Sequence, residues 1–136
     1  TEVSVEDYDV VMDVNLKASF FVTKAAVQPM LAAGCKASLI HVGSQMGHVG
    51  AANRTLYCAS KWGLEGFNKA LAVELAPHGI RSNTIAPTFI ETAMTGPFLA
   101  NKGFREEVLG KIKLGRIGQV EDLMGAVLVL QQGSMQ

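Results

Sequence analysis

The 136-residue chain lacks the marks of several protein classes. Its twelve basic and twelve acidic side chains cancel, so no excess of charge favours nucleic acid or an anionic membrane surface as a partner. No stretch approaches the roughly 20 uninterrupted apolar residues of a membrane helix. The first residues contain neither a basic region nor an apolar core, so no signal peptide is predicted and we expect a cytoplasmic protein.

Cysteine and histidine are also scarce, at two and three residues. Cys35 and Cys58 have no CxxC spacing, and with three scattered histidines they make no zinc-cluster pattern. We expect reduced thiols and no bound metal ion. Apolar residues, by contrast, are abundant: 49% of the chain is hydrophobic and 18% is charged, which is typical of one packed globular domain.

The apolar periodicity predicts two long helices. Ser4, followed by Asp7 three residues later, favours a helix start, and the helical pattern continues over about 5–33. Pro29 is expected to kink or loosen the last turn of this helix. A second helical stripe covers about 56–76 and ends at a His-Gly pair, which is typical of a helix C-terminus.

Two short apolar runs, at 37–44 and 80–86, predict strands buried on both faces. A helix between two such strands indicates a βαβ unit, and hence an α/β fold with a parallel sheet. Ligands of open parallel sheets bind at the carboxyl ends of the strands. The candidate site therefore lies where Ser44 and Pro87 end the two runs.

The remainder of the chain is less regular. Over residues 93–114 the apolar pattern is irregular and predicts one helix, at about 104–111, which is typical of a functional lid. Helical periodicity resumes over 119–130, whereas the tail at 131–136 has no pattern. We predict one domain over 1–136, in which a catalytic part at 1–92 precedes the lid.

Tyr57 and Lys61 make a pair with a clear chemical use. Their separation of four positions places both side chains on one face of the second helix. A lysine ammonium close to a phenol stabilises the phenolate, which makes the tyrosine a workable acid or base near neutrality. The pair alone arises often by chance, and it gains weight from Ser44 at a strand end and Asn15 in the first helix.

In this combination the run Tyr57-Cys58-Ala59-Ser60-Lys61 resembles the short-chain dehydrogenase/reductase family in its YxASK form. The resemblance extends over about 5–130. It implies a Rossmann-like, doubly wound parallel sheet, here partial, with long helices flanking two core strands and a helical substrate lid.

The resemblance also implies a role for each matching residue. Tyr57 would be the acid/base, and Ser44 would hydrogen-bond the substrate oxygen. Lys61 would bind the nicotinamide ribose and support the tyrosine, while Asn15 would hold a water that contacts the lysine. The implied reaction is hydride transfer between a nicotinamide cofactor and a small alcohol or ketone, such as a sugar acid or a 3-oxoacyl compound.

The segment from Pro87 to Met94 resembles the part of the family that contacts this cofactor. The backbone at Ile90 would read the carboxamide, and the Thr92 hydroxyl would contact the cofactor. The implied cofactor-binding set is Tyr57, Lys61, Pro87, Ile90 and Thr92. The resemblance does not distinguish NAD from NADP.

The sequence departs from the family pattern in several places. Thr88 stands where a glycine usually follows the proline, and neither a TGxxxGxG loop nor the usual final strand is present. We therefore expect the catalytic middle of a larger domain. The alternatives are a catalytically silent fragment or oligomerisation module, unable to bind dinucleotide by itself, and a regulatory family member without turnover.

The expected partners are a small-molecule substrate and further copies of the chain. In the family, the helices that match 5–33 and 56–76 form the contact between subunits, so the resemblance implies a homodimer or homotetramer through them. A fragment of this kind on its own would expose apolar helix and sheet faces, and we expect it to be of low stability or to self-associate.

Overall fold

The computed structural model of the chain describes residues 2–132, so positions 133–136 of the predicted tail at 131–136 lie outside this range. The chain begins with α1 (Val5–Met12), continues through a π-helical segment (Asp13–Lys17) and goes on as α2 (Ala18–Ala32). The long first helix is therefore confirmed. The Ser4 hydroxyl accepts a hydrogen bond from the Asp7 amide at 3.0 Å, and the Asp7 carboxylate accepts one from the Ser4 amide at 3.1 Å, so the predicted capping box is present.

The sequence did not predict the π segment. A π turn replaces the usual i→i+4 hydrogen bonds with i→i+5 bonds and inserts an extra residue, which no pattern of apolar residues encodes. It carries Asn15 at its centre. Pro29, where we expected a kink or a loosened turn, lies in the last turn of α2, and this helix continues past the proline to Ala32.

The two predicted strands and the helix between them are confirmed. Strand β1 (Ala37–Val42) pairs in parallel with β2 (Ile80–Ile85), in a register that sets Ala37 against Ile80 and Val42 against Ile85. Helix α3 (Thr55–Leu75) makes the crossover and ends in a short 3-10 turn, after which Gly79 adopts a left-handed φ of 71°. The fold is α/β, with two parallel strands flanked by long helices.

Burial of the strands differs from the prediction. The β1 residues are half-buried, and the Val42 side chain is 63% exposed. The reason is that the sheet of the described residues has two strands, so a strand lacks a second neighbour and full cover by helices. On the packed side, Val27 of α2 and Leu75 of α3 enclose Ile80, and these three side chains form one small core.

The segment predicted to be a lid contains two helices, α4 (Gly96–Leu99) and α5 (Lys102–Lys111), and α5 includes the helix predicted there. Leu99, Val108 and Ile117 form a second small core, against which Phe89 and Phe104 pack. The lid is thus packed onto the segment that follows β2.

The chain then forms a 3-10 turn (Val120–Leu123) and α6 (Met124–Gln132), so the helical pattern predicted for 119–130 is confirmed and extends into the tail. The Leu130 carbonyl, at the end of α6, accepts hydrogen bonds from the Ser38 hydroxyl at 2.8 Å and from the Arg81 guanidinium. These bonds satisfy a carbonyl that the helix leaves free, and they tie α6 to both strands. Between residues 2 and 132, no helix is long and apolar enough to cross a bilayer.

The link between the lid and α6 is held by an ion pair. The Asp122 carboxylate accepts two hydrogen bonds from the Arg116 guanidinium, at 2.6 and 2.8 Å, and a third from the Gln119 amide at 2.7 Å. The hydrogen bonds from Arg116, and then that from Gln119, hold the pKa of Asp122 well below its ordinary range.

We predict that Asp122→Asn lowers the free energy of unfolding at neutral pH, by a margin that shrinks in acid. The folded-state pKa of Asp122 is depressed, so its stabilising effect is fully present above the unfolded pKa of about 4 and is lost as the pH falls through the folded pKa. Urea denaturation of both proteins at neutral pH and at about pH 3 measures the two margins. Asp9→Asn, an exposed change on α1, is the control, and a margin for Asp122→Asn that does not vary with pH would contradict the prediction.

Candidate active site

The carboxyl ends of the two strands meet at one edge, as predicted. The ladder continues beyond the strands, because the Gly43 amide donates to the Ile85 carbonyl at 2.8 Å and the Gln45 amide donates to the Pro87 carbonyl at 3.0 Å. Ser44 lies between these two bonds and is buried. The backbone on both sides of Ser44 is therefore fixed to β2 and to the segment that follows it.

The Ser44 hydroxyl begins a short 3-10 turn at Gln45–Gly47 and accepts a hydrogen bond from the Met46 amide at 3.2 Å. A hydroxyl can accept and donate at once. Because the backbone amide uses an acceptor position, the O–H of Ser44 keeps its capacity to donate to a ligand oxygen.

The turn after Ser44 lies directly on helix α3. A Cβ placed on Gly47 would stand 3.0 Å from the Lys61 carbonyl oxygen and 2.9 Å from Cγ of Glu65. Only a residue without a side chain permits this approach. The contact sets the distance between the Ser44 turn and the helix that carries Tyr57 and Lys61.

Tyr57 and Lys61 share one face of α3, as their spacing predicted. The Lys61 Nζ lies 5.7 Å from the centroid of the Tyr57 ring and donates to the Val42 carbonyl at 3.4 Å. The Tyr57 side chain is 36% exposed, so the phenol is accessible. The ammonium group is thereby placed close to both the tyrosine and the end of β1.

Asn15 reaches α3 through a side chain that the sequence reasoning did not single out. Its amide Nδ2 donates to the Ser60 hydroxyl at 3.1 Å, and this hydroxyl donates to the Tyr57 carbonyl at 2.8 Å. Ser60 is completely buried. The signal was present in the run Tyr57–Lys61, where Ser60 is the polar residue that faces the first helix.

The residues expected to bind cofactor lie in more than one place. Pro87 and Ile90 line an open pocket of about 420 Å³, together with Leu114 at the end of the predicted lid and Gly118 beyond it. Asn15 and Tyr57 line a different open pocket, of about 410 Å³, between α1 and the start of α3.

Thr92 lies in the turn that leads into the lid. Its hydroxyl is 3.2 Å from the Thr95 hydroxyl, which in turn donates to the Ile90 carbonyl at 2.6 Å. The Glu91 amide donates to the Gly118 carbonyl at 2.8 Å, so this segment is also joined to the chain beyond the lid. The expected cofactor segment is thus a hydrogen-bonded turn rather than a free loop.

Comparison with known proteins identifies the family of this chain. A short-chain dehydrogenase family model described as enoyl-(acyl carrier protein) reductase matches residues 1–135. The chain belongs to the short-chain dehydrogenase/reductase family. A curated relative is the (3R)-3-hydroxyacyl-CoA dehydrogenase of Canis lupus familiaris, which is 42% identical over 127 residues that cover 93% of this chain and 48% of the relative.

Solved structures of other short-chain dehydrogenases superpose closely. A gluconate 5-dehydrogenase from Burkholderia cenocepacia, in complex with NADP and tartrate, gives a TM-score of 0.91 at 27% identity and covers 96% of this chain and 51% of that chain. A 4-hydroxyisoleucine dehydrogenase complexed with NADH gives a TM-score of 0.93 at 26% identity, with 99% and 56% covered. The chain therefore spans about half the length of these relatives.

A buried acid of this chain was also missed by sequence reasoning. Glu65 lies four positions after Lys61, and thus eight after Tyr57, on the same helical stripe. It is 4% exposed and lies against the Ser44 turn. The signal that could have identified Glu65 is its position, because it is a charged residue on the same helical stripe as Tyr57 and Lys61.

We predict that Gly47→Ala destabilises the chain by about 1–3 kcal/mol, the usual cost of an extra methyl group that must displace packed atoms. The methyl group would meet the Lys61 backbone, which cannot move without shifting α3. Gly50→Ala is the matched control, because a Cβ at Gly50 has open space and should change the free energy of unfolding by less than about 0.5 kcal/mol. Equal effects of the two substitutions in urea denaturation would refute the contact.

Proposed function

We propose that the chain carries the catalytic part of an NAD(P)-dependent oxidoreductase that acts on a small alcohol or ketone. The observation that carries the proposal is the Lys61 ammonium, 5.7 Å from the Tyr57 ring centroid and joined to the end of β1 beside Ser44. Membership of a family whose relatives are named as dehydrogenases and reductases supports it.

The proposed chemistry assigns one task to each group. In the direction of reduction, the Ser44 hydroxyl donates a hydrogen bond to the substrate oxygen, and the Tyr57 hydroxyl gives its proton to the developing alkoxide. The Lys61 ammonium then stabilises the phenolate that remains. A bound nicotinamide cofactor would supply or accept the hydride.

Asn15 is the proposed fourth member of the group. Its hydrogen bond to Ser60 at 3.1 Å fixes the asparagine side chain beside the start of α3, where Ser60 in turn donates to the Tyr57 carbonyl. From there we propose that it holds a water which, together with Lys61, returns a proton to the Tyr57 phenolate. The π segment supports this role, because the widened turn at Asp13–Lys17 is centred on Asn15.

The residues fit the nicotinamide half of a cofactor. The pocket beside Pro87 and Ile90 holds about 420 Å³, within the usual range for small-molecule sites, and its walls are mostly apolar, with Arg116 and Asp122 as the charged lining residues. Tyr57, Lys61 and Thr92 complete the proposed cofactor-binding set. NADP and NADH occur in the solved relatives, and the proposal includes both.

The proposed substrate lid is the segment at 93–114, followed by the helix at 119–130. Arg54, next to the start of α3, encloses an apolar pocket of about 120 Å³ with lid side chains that include Phe98 and Phe104. Relatives are named for a 3-hydroxyacyl-CoA and for gluconate. We propose a substrate of the sugar-acid or 3-oxoacyl type.

A second candidate function is an oligomerisation module that is catalytically silent by itself. The chain spans about half the length of the relatives compared, and the observation in favour of a module lies on its long helices. Exposed apolar side chains on the helices at 5–33 and 56–76 suit contact with further copies of the chain; they include Phe21, Val22, Trp62 and Val73. A homodimer or homotetramer through these helices stays a prediction.

We predict that Tyr57→Phe lowers kcat by about 100-fold or more, since it removes the proton that general acid catalysis requires. The assay follows the absorbance of NADH or NADPH with a 3-oxoacyl thioester or an oxidised sugar acid as substrate. Tyr8→Phe is the matched control, because Tyr8 is an exposed residue of α1 outside the site.

Calorimetric titration of the chain with NADH and NADPH separates the two candidates. Binding of either cofactor, together with loss of turnover in Tyr57→Phe alone, supports the oxidoreductase. Failure of both cofactors to bind favours the silent module, and unimpaired turnover by Tyr57→Phe would refute the role assigned to this tyrosine.

A further inference from the structure

The buried carboxylate of Glu65 lies beneath the Ser44 turn and has no part in the proposed chemistry. One of its oxygens, Oε2, accepts a hydrogen bond from the Thr84 hydroxyl of β2 at 2.9 Å. The other, Oε1, is 3.4 Å from the Nε2 of His48 and has no hydrogen-bond partner among the described residues. One side chain of α3 thereby contacts both a strand and the loop after the turn.

Two glycines bring the backbone around Ser44 against this side chain. A Cβ on Gly43 would stand 3.0 Å from Oε1 of Glu65, and a Cβ on Gly47 would stand 2.9 Å from its Cγ. These positions lie on either side of Ser44 along the chain. Glu65 is therefore in contact with the Ser44 segment before and after the serine.

A carboxylate in such a place is costly unless it is compensated. Removing an ionised acid from water costs several kcal/mol, which partners must offset. Thr84 supplies one hydrogen bond, and His48, whose side chain is 48% exposed, supplies the other contact. The burial of Glu65 thus depends on the loop staying closed over it.

The remaining charged or titratable groups around Glu65 do not replace this contact. His41 of β1 faces it, but burial lowers the pKa of His41, and the nearby Glu65 opposes that shift only in part. Lys61, one turn earlier on α3, directs its ammonium to the Val42 carbonyl. The Nε2 of His48 is therefore the side-chain nitrogen that approaches Oε1, at 3.4 Å.

We propose that Glu65 is the positioning residue of the Ser44 turn. Its carboxylate joins α3 to β2 through Thr84 and to the loop through His48, and it holds the serine at a fixed distance from Tyr57 and Lys61. The proposal rests on the proposed function for the task of Ser44, but the contact itself can be tested without cofactor or substrate.

The test is amide hydrogen exchange by NMR on the whole chain. In Glu65→Leu, we expect the amides of the turn, at Gln45, Gly47 and Val49, to exchange about tenfold faster or more, the effect of losing hydrogen bonds to a charged group. Amides of α5 should not change. Glu65→Gln should rescue part of the protection, since its amide oxygen can still accept from Thr84.

His48→Gln and Glu74→Gln complete the design. His48→Gln should loosen the turn to a degree similar to Glu65→Gln, because each alters the same contact between Oε1 of Glu65 and Nε2 of His48. The ring resonances of His48 should shift in Glu65→Gln and stay in place in Glu74→Gln, a change of an exposed acid on the same helix. If Glu65→Leu does not fold, Glu65→Gln and His48→Gln decide the question.

Two results of the exchange experiment would overturn the proposal. One is protection of the turn amides at wild-type level in Glu65→Gln and His48→Gln, and the other is equal acceleration of amides throughout the chain, which marks general destabilisation. Where turnover is measurable, Glu65→Gln should lower kcat and leave the KM for cofactor within about twofold, because Ser44 acts on the reacting oxygen. A fall in cofactor affinity with unchanged kcat would contradict the role. If the wild-type chain binds neither cofactor, this result would count against the proposed function. The hydrogen-exchange test of the Glu65 contact would be unaffected, because it uses no cofactor.

Discussion

Two backbone hydrogen bonds beyond the ends of the strands determine where everything else in the candidate site lies. The Gly43 amide with the Ile85 carbonyl, and the Gln45 amide with the Pro87 carbonyl, extend the parallel ladder past β1 and β2. They hold the Ser44 segment beside the proposed cofactor segment. Parallel strands end at the same edge, so this geometry follows from the βαβ connection itself.

Helix α3 supplies the second half of the arrangement. One stripe of the helix carries Tyr57, Lys61 and Glu65 at intervals of four residues, and the last two contact the sheet. The lysine bonds to the end of β1, and the glutamate bonds to Thr84 of β2. The close approach at Gly47 then fixes the height of the Ser44 turn above the helix.

Much of the fold could be predicted from the sequence, because periodicity reports directly on burial. The capping pair at Ser4 and the strand-end position of Ser44 follow from local rules, and both are confirmed. The π segment at Asn15 could not be predicted, because an inserted residue shifts the apolar pattern by one position, which resembles the irregular spacing of an ordinary helix. Burial of β1 was overestimated, because an apolar run indicates which residues favour burial but not how many neighbouring strands and helices pack against them. Glu65 was missed for a related reason, since its partners lie far away in sequence.

The chain belongs to the short-chain dehydrogenase/reductase family and spans about half the length of the relatives compared. The central claim about its site is that the Ser44 segment is hydrogen-bonded to the Pro87 segment at the edge of the sheet. The most direct measurement is the NMR scalar coupling across the hydrogen bond from the Gln45 amide nitrogen to the Pro87 carbonyl carbon, in the chain without ligand. The account predicts a detectable coupling and an amide that exchanges as slowly as those within β1. A Gln45 amide without this coupling that exchanges at the rate of an unstructured peptide would contradict it.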